Sequence, residues 1–313
     1  MAKRIQMTWF KLIAASLFGL VCSLSASASS LKVEGAIEST AGGFVFPNGS
    51  VQITAALESC TPISSVPFVI SEAGVYCLKS NLGWSSYGGN AISIEADNVV
   101  VDLAGWTLDG EGAGPLNGAI GIYAEKRKNI TIRNGTIRGF NYGIRLEELD
   151  PDFGDSARHL IEYIHAVNNI AAGIRAVGLD IVARHNRVTG TGDSDYPSTV
   201  VGLGIFGLGC RVLDNDVTDT SGNTAIVAGI FMNSCEDAVI SNNRVTIVNN
   251  ANQDTGTTYG IYASGSNKII EGNSIITADV GISTGIGGKL RDNLTFNVIT
   301  PFTGAATDAG GND

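Results

Sequence analysis

The stretch EELDPDFGDSARH, Glu147 to His159, holds the densest set of chemically capable side chains in the sequence. Asp150, Asp152 and Asp155 place three carboxylates within six residues, which offers a hard cation such as Ca²⁺ the oxygen ligands it prefers. The spacing lacks the twelve-residue Ca²⁺ loop pattern, and a solvated acidic turn accounts for the same residues. His159 can carry a proton near neutral pH, as a catalytic base must. The other two histidines, His165 and His185, fit buried hydrogen-bonding roles, and His165 falls where other segments carry a corner asparagine. Arg145 and Arg175 can each grip a carboxylate through two parallel N–H bonds, or can simply neutralise Glu147 and the acidic stretch. Hydrolysis by paired carboxylates would draw on Asp193/Asp195 or Asp214/Asp216, but the second pair flanks a corner asparagine, away from the other candidates.

The elements that must position these residues are written as a repeat. Gly-Ile recurs at Gly121, Gly143, Gly173, Gly204, Gly229, Gly260 and Gly281, at intervals of 21 to 31 residues. Between occurrences the pattern alternates, as in Ile130-Thr131-Ile132-Arg133, which is strand periodicity. A second marker keeps the register: Asn186, Asn215, Asn243, Asn273 and Asn293 each stand two residues before Val, Ile or Thr. Asparagine tolerates a left-handed corner and can hydrogen-bond its copy one repeat on. Each unit therefore reads as strand, turn, strand, Asn corner, strand and loop, and a chain of such units is a solenoid.

The coils, with three short strands and an Asn corner, resemble the right-handed parallel β-helix of the pectate-lyase-like superfamily. The resemblance implies an all-β solenoid of about nine coils over residues 75–313, with 29–74 as a short N-terminal module or cap. In Gly-Ile-x the isoleucine faces the core, so Gly and x should face outward. Position x then lays out Tyr123, Arg145, Arg175, Phe206, Phe231, Tyr262 and Ser283 as one ridge, with Glu125 and Glu147 two residues further on. Long insertions on both sides of this ridge suggest a groove. In the superfamily extended sugars lie on this face, so the resemblance implies a polysaccharide partner, with Tyr123, Glu147, Phe206, Phe231 and Tyr262 as contacts. It also implies lyase or epimerase chemistry, with Arg145 or Arg175 neutralising a uronate, His159 as base and Ca²⁺ at Asp150, Asp152 and Asp155. YGIRLEELDPD is similar to an alginate-epimerase signature at Tyr142, Gly143, Asp150 and Pro151, but Asp152 stands where that signature has histidine. The polygalacturonase signatures are absent. A non-catalytic surface or fibre-like β-helix with a structural or glycan-binding role is the other reading, and a ridge packed under a covering loop is the alternative to a groove.

The remaining features bear on where such a protein works. Lys3, Arg4 and Lys11 precede an apolar run, Leu12–Val21, and Ala26-Ser27-Ala28 is a small-residue cleavage site, so residues 1–28 read as a secretory signal peptide. No later stretch reaches the length of a membrane span. A net charge of −10 argues against nucleic acid, whose phosphates need Lys and Arg. Export permits disulfides. Cys210 and Cys235 each lie six residues after a Gly-Ile, so stacked coils would bring them together, leaving Cys60 and Cys77 as the second pair; four free thiols is the alternative. Upstream, Gly42 to Gln52 (GGFVFPNGSVQ) carries a turn at Pro47-Asn48-Gly49 between two strand-like runs. It resembles a short module of phage fibre and bacterial surface proteins, which implies a homotrimer or surface attachment; a cap over the first coil is the alternative.

Overall fold

Alternation builds the wall of the molecule. In the computed structural model, which describes residues 44–45, 51–52, 60–148, 154–192, 199–250 and 256–313, Ile130 and Ile132 are fully buried while Thr131 and Arg133 are not. The expected signal peptide lies outside the described residues. From Thr61 onward, strands inside the stack pair in parallel with the strand one coil before and one coil after, so Ile132 sits between Val101 and Ile161. The result is an all-parallel, right-handed β-helix whose inward columns of Ile, Val, Leu and Ala form one continuous core. Each fully buried isoleucine contributes about 2 kcal/mol of burial free energy. Among the described residues no helix is long and apolar enough to cross a membrane.

Each coil contributes strands to three sheets. The first sheet carries the Gly-Ile segments in ten rungs, from Phe68–Ile70 to the stretch of Leu294–Asp308 around Phe302. The second includes Val99–Asp102, Leu160 onward, Val182–Arg184 and Arg211–Leu213. The third includes Arg187–Gly192, Asp216–Gly222 and Arg244–Asn250. The parallel ladder begins at Thr61, inside the segment that the sequence assigns to the N-terminal module. Its opening strands are three residues long and interrupted by proline, so they carry no Gly-Ile marker. The disulfide Cys60–Cys77 clasps this first coil. The preceding unit, residues 1–58, contains an antiparallel pairing of Phe44–Val45 with Val51–Gln52.

The Asn corner between the second and third sheets is a relay. Asn186 Nδ2 donates to Asn215 Oδ1, and the same bond passes to Asn243, Asn273, Asn293 and Asn312 at 2.9–3.0 Å. Each Nδ2 also donates to a backbone carbonyl of the neighbouring coil, such as Asn215 to Ala183. The relay ends on Ile164, whose backbone N–H donates to Asn186, so Ile164 and not His165 holds the corner position on that coil. His165 stands one residue later, in register with Arg187 on the outer surface.

Two further expectations are corrected by the register. The Gly column of the first sheet faces inward, because its strand begins at a corner. A β-carbon on Gly173, Gly202 or Gly229 would lie 2.3–2.5 Å from Val188, Val217 or Val245, the inward column of the third sheet. Cys210 and Cys235 are buried free thiols with no disulfide between them. Cys210 hydrogen-bonds through the ladder to Val239, which makes its rung partner Ala238, three residues past Cys235. The shared offset from Gly-Ile fails because the Gly-Ile at Gly204 is itself out of register. The two thiols still meet: their hydrogen bond lowers the pKa of Cys210 and raises that of Cys235.

Candidate functional site: the outer face of the first sheet

Outward side chains on this sheet stand in three columns fixed by the parallel register. The middle column runs Ser93, Tyr123, Arg145, Arg175, Gly204, Phe231, Tyr262, Ser283. Beside it, Glu125 pairs with Glu147, and Val177 with Phe206, then Asn233. On the other side Tyr142, Ala172, Val201, Ala228 and Tyr259 form the third column. Phe206 therefore does not stand in the column of Phe231, as the repeat implies. The chain reads Gly202-Leu203-Gly204-Ile205, and the structure sets Leu203 beside Ile174 and Ile230, so Gly204 takes the middle place. Phe206 leans over that notch, its Cε2 within 3.3 Å of where a Gly204 β-carbon would lie.

At the centre of the face two cations share one carboxylate. Glu147, 4% exposed, accepts from Arg145 Nε at 2.5 Å and from Arg175 Nη1 through the same oxygen. Arg145 lies over the Tyr142 ring at 4.9 Å and Arg175 over the Phe206 ring at 4.8 Å, so each guanidinium is backed by an aromatic face. Burial pulls the Arg145 pKa down, but the hydrogen bond and charge of Glu147 outweigh it and raise the pKa. On the N-terminal side Tyr123 donates to Glu125 at 2.8 Å. Burial, then the bond and charge of Glu125, push the Tyr123 phenol up to about 12, so it stays protonated.

The C-terminal side is aromatic. Phe231 stacks on Tyr262 at 4.8 Å with planes 9° apart, touches Phe206 at 5.7 Å, and Tyr259 meets Tyr262 edge-on at 5.2 Å. These rings close over Ala172, Val201 and Ala228 as an apolar cluster separate from the core. Sequence reasoning singled out Tyr142 only through the epimerase-like signature and missed Tyr259, although both precede Gly-Ile in the phrase Tyr-Gly-Ile, a repeat within the repeat.

The expected base is not on this face. His159 takes an inward place between Ile130 and Ile181 and is 1% exposed. The Ile130 N–H points at Nδ1, 3.3 Å away, which leaves Nε2 to donate to Ser156 Oγ at 2.8 Å. Burial pushes its pKa down to about 4. Both ring nitrogens are spent on the wall. The long preceding loop hides this, since it breaks the alternation by which an inward residue is recognised.

Asp150 and Asp152 lie outside the described residues. Asp155 is exposed, with Lys128 Nζ at 4.0 Å as its charged neighbour. Among the described residues no three His, Cys, Asp or Glu side chains come together. His165 reaches Thr189 at 3.3 Å and His185 stacks on Tyr163 at 5.1 Å, both on outer walls. Asp216 pairs with Arg244 at 2.9 Å on the third sheet, which removes it from any hydrolytic pair on this face.

No protein-family profile matches the sequence, and no curated protein does. Among solved structures, the Dettilon tailspike protein superposes with a TM-score of 0.51 at 14% identity, over 81% of this chain and 58% of its own. A double mutant of the periplasmic alginate epimerase AlgG gives 0.47 at 12% identity, over 80% and 66%. Pectate lyase Pel9A gives 0.41 at 12%, over 85% and 74%. The chain thus spans little more than half the length of the tailspike, and at such identities the likeness is one of fold. With its all-parallel ladder, three sheets and continuous core, the chain is a right-handed parallel β-helix.

Proposed function

We propose that the chain is an exported polysaccharide-binding protein that holds an extended glycan along the outer face of the first sheet, with an acidic sugar at Arg145 and Arg175. The observation that carries this is the juxtaposition on one rigid sheet of a ring-backed arginine pair and, from the next rung onward, the Phe206–Phe231–Tyr262 platform. Aromatic faces suit the C–H faces of sugar rings, and guanidiniums suit a carboxylate or sulfate. The Glu147 carboxylate already bound there is the protein's own example of the anion such a ligand would bring. Export agrees with the N-terminal signal pattern and with the Cys60–Cys77 bond, since disulfides persist in oxidising compartments.

The face is built for recognition. Lyase or epimerase chemistry needs a base at the bound sugar, and His159 is committed to the wall. Titration of the full chain with acidic polysaccharides, by calorimetry and with ultraviolet absorbance followed for unsaturated products, tests the reading. Binding that falls at least tenfold in the Arg145→Ala, Arg175→Ala double variant, with no new absorbance, is expected. Equal binding by that variant would overturn the site, and a growing absorbance would overturn the non-catalytic assignment.

A further inference from the structure

The charges on this face are unevenly spread, and their distribution constrains the ligand more than their presence does. In the middle and acidic columns the only described cations are Arg145 and Arg175, on adjacent rungs. Glu147 offsets one of them, so the pair presents one net positive charge, on side chains 34% and 25% exposed. One rung towards the N-terminus stands Glu125, and in line with it, one rung further, the exposed Glu95. Towards the C-terminus the next three rungs offer Gly204 with Phe206, Phe231 with Asn233, and Tyr262 with Ser264, none charged.

Rungs are about 4.8 Å apart, close to the advance of one pyranose in an extended chain. A ligand lying along the face therefore meets roughly one rung per sugar. A polymer with a carboxylate on every sugar would set one on the arginine pair, one or two against Glu125 and Glu95, and several over neutral rings. Like charges at that separation repel, and desolvating a carboxylate against an aromatic face is unfavourable. A chain with one anionic sugar and neutral neighbours matches every rung: the anion meets the arginines, neutral rings stack on Phe231 and Tyr262, and hydroxyls donate to Glu125.

We infer that the ligand is a heteropolysaccharide whose anionic sugars are isolated, with at least two neutral sugars between successive charges, and not a homopolyuronate. This rests on the glycan-binding reading above. The test titrates the full chain with size-matched oligosaccharides from polygalacturonate (a charge on every sugar), hyaluronan (every second), gellan (one in four) and dextran (none), at physiological ionic strength. Gellan fragments are expected to bind at least tenfold more tightly than either oligogalacturonate or hyaluronan, and dextran fragments more weakly than gellan. Glu125→Gln should narrow the gap between oligogalacturonate and gellan at least threefold. Oligogalacturonate or hyaluronan binding as tightly as gellan would overturn the spacing and leave the glycan face standing. Dextran binding as tightly as gellan would remove the arginine anchor. Binding to none of the four would sink both readings.

Discussion

Glu147 shows how one side chain can organise a site. It is nearly inaccessible, and it holds two guanidiniums that would otherwise repel each other at the same rung spacing. Glu147→Gln removes the charge and keeps the shape. It is expected to destabilise the protein by about 2 kcal/mol, below the usual cost of breaking a fully buried pair because both arginines are partly exposed. Urea unfolding at neutral pH measures this. His159 makes a different prediction. Its folded pKa of about 4 lies below the unfolded value of about 6.5, so between these pH values the unfolded chain binds a proton that the folded chain refuses. Its contribution is complete above pH 6.5 and is lost as pH falls towards 4, by about 3 kcal/mol in all. His159→Gln should flatten that part of the stability–pH curve relative to wild type. At this scale the sequence is legible where alternation is unbroken: Tyr123, Arg145, Arg175, Phe231 and Tyr262 face outward as their period requires. Phe206 is displaced because Gly202-Leu203-Gly204-Ile205 permits two registers, and only the neighbouring rungs choose between them.

At the scale of the element, the corners matter more than the strands. Asn215 accepts from Asn186, donates to Asn243 and donates to the Ala183 carbonyl, all in a buried corner. Asn215→Ala strands those partners without water, and a loss of about 3 kcal/mol is expected in thermal or urea unfolding. The Gly column is the steric counterpart. Gly229→Ala would push a methyl to 2.3 Å from Val245 Cγ1, an overpacking expected to cost about 2 kcal/mol, whereas Gly83→Ala, with nothing within 4 Å, should be neutral within error. Both columns announce themselves in the sequence by recurrence. The direction in which the glycines point does not, since alternation assumes a straight strand and these sit where the chain turns a corner. The opening coils were hidden for a related reason: two prolines and three-residue strands leave too little pattern to read.

Along the described coils, contacts run within a coil and to its neighbours, so stability is close to a sum of neighbouring terms. The Cys60–Cys77 bond, spanning a sequence separation of 17, holds the first coil with about 3 kcal/mol of loop-closure stabilisation. Reduction should therefore raise amide hydrogen exchange in residues 61–78 and leave the rungs from Tyr142 onward nearly unchanged; uniform loosening along the axis would contradict a nearest-neighbour solenoid. At the other end Phe296 and Ile299 are 73% and 80% exposed on the final rung. The Asn relay has one more consequence, and it concerns ancestry. Because each asparagine hands on the bond that it receives, a duplicated coil can be spliced into the stack with its hydrogen bonds already provided for. The ladder can then lengthen by a whole rung in a single genetic event, while the arginine pair and its aromatic neighbours are inherited intact.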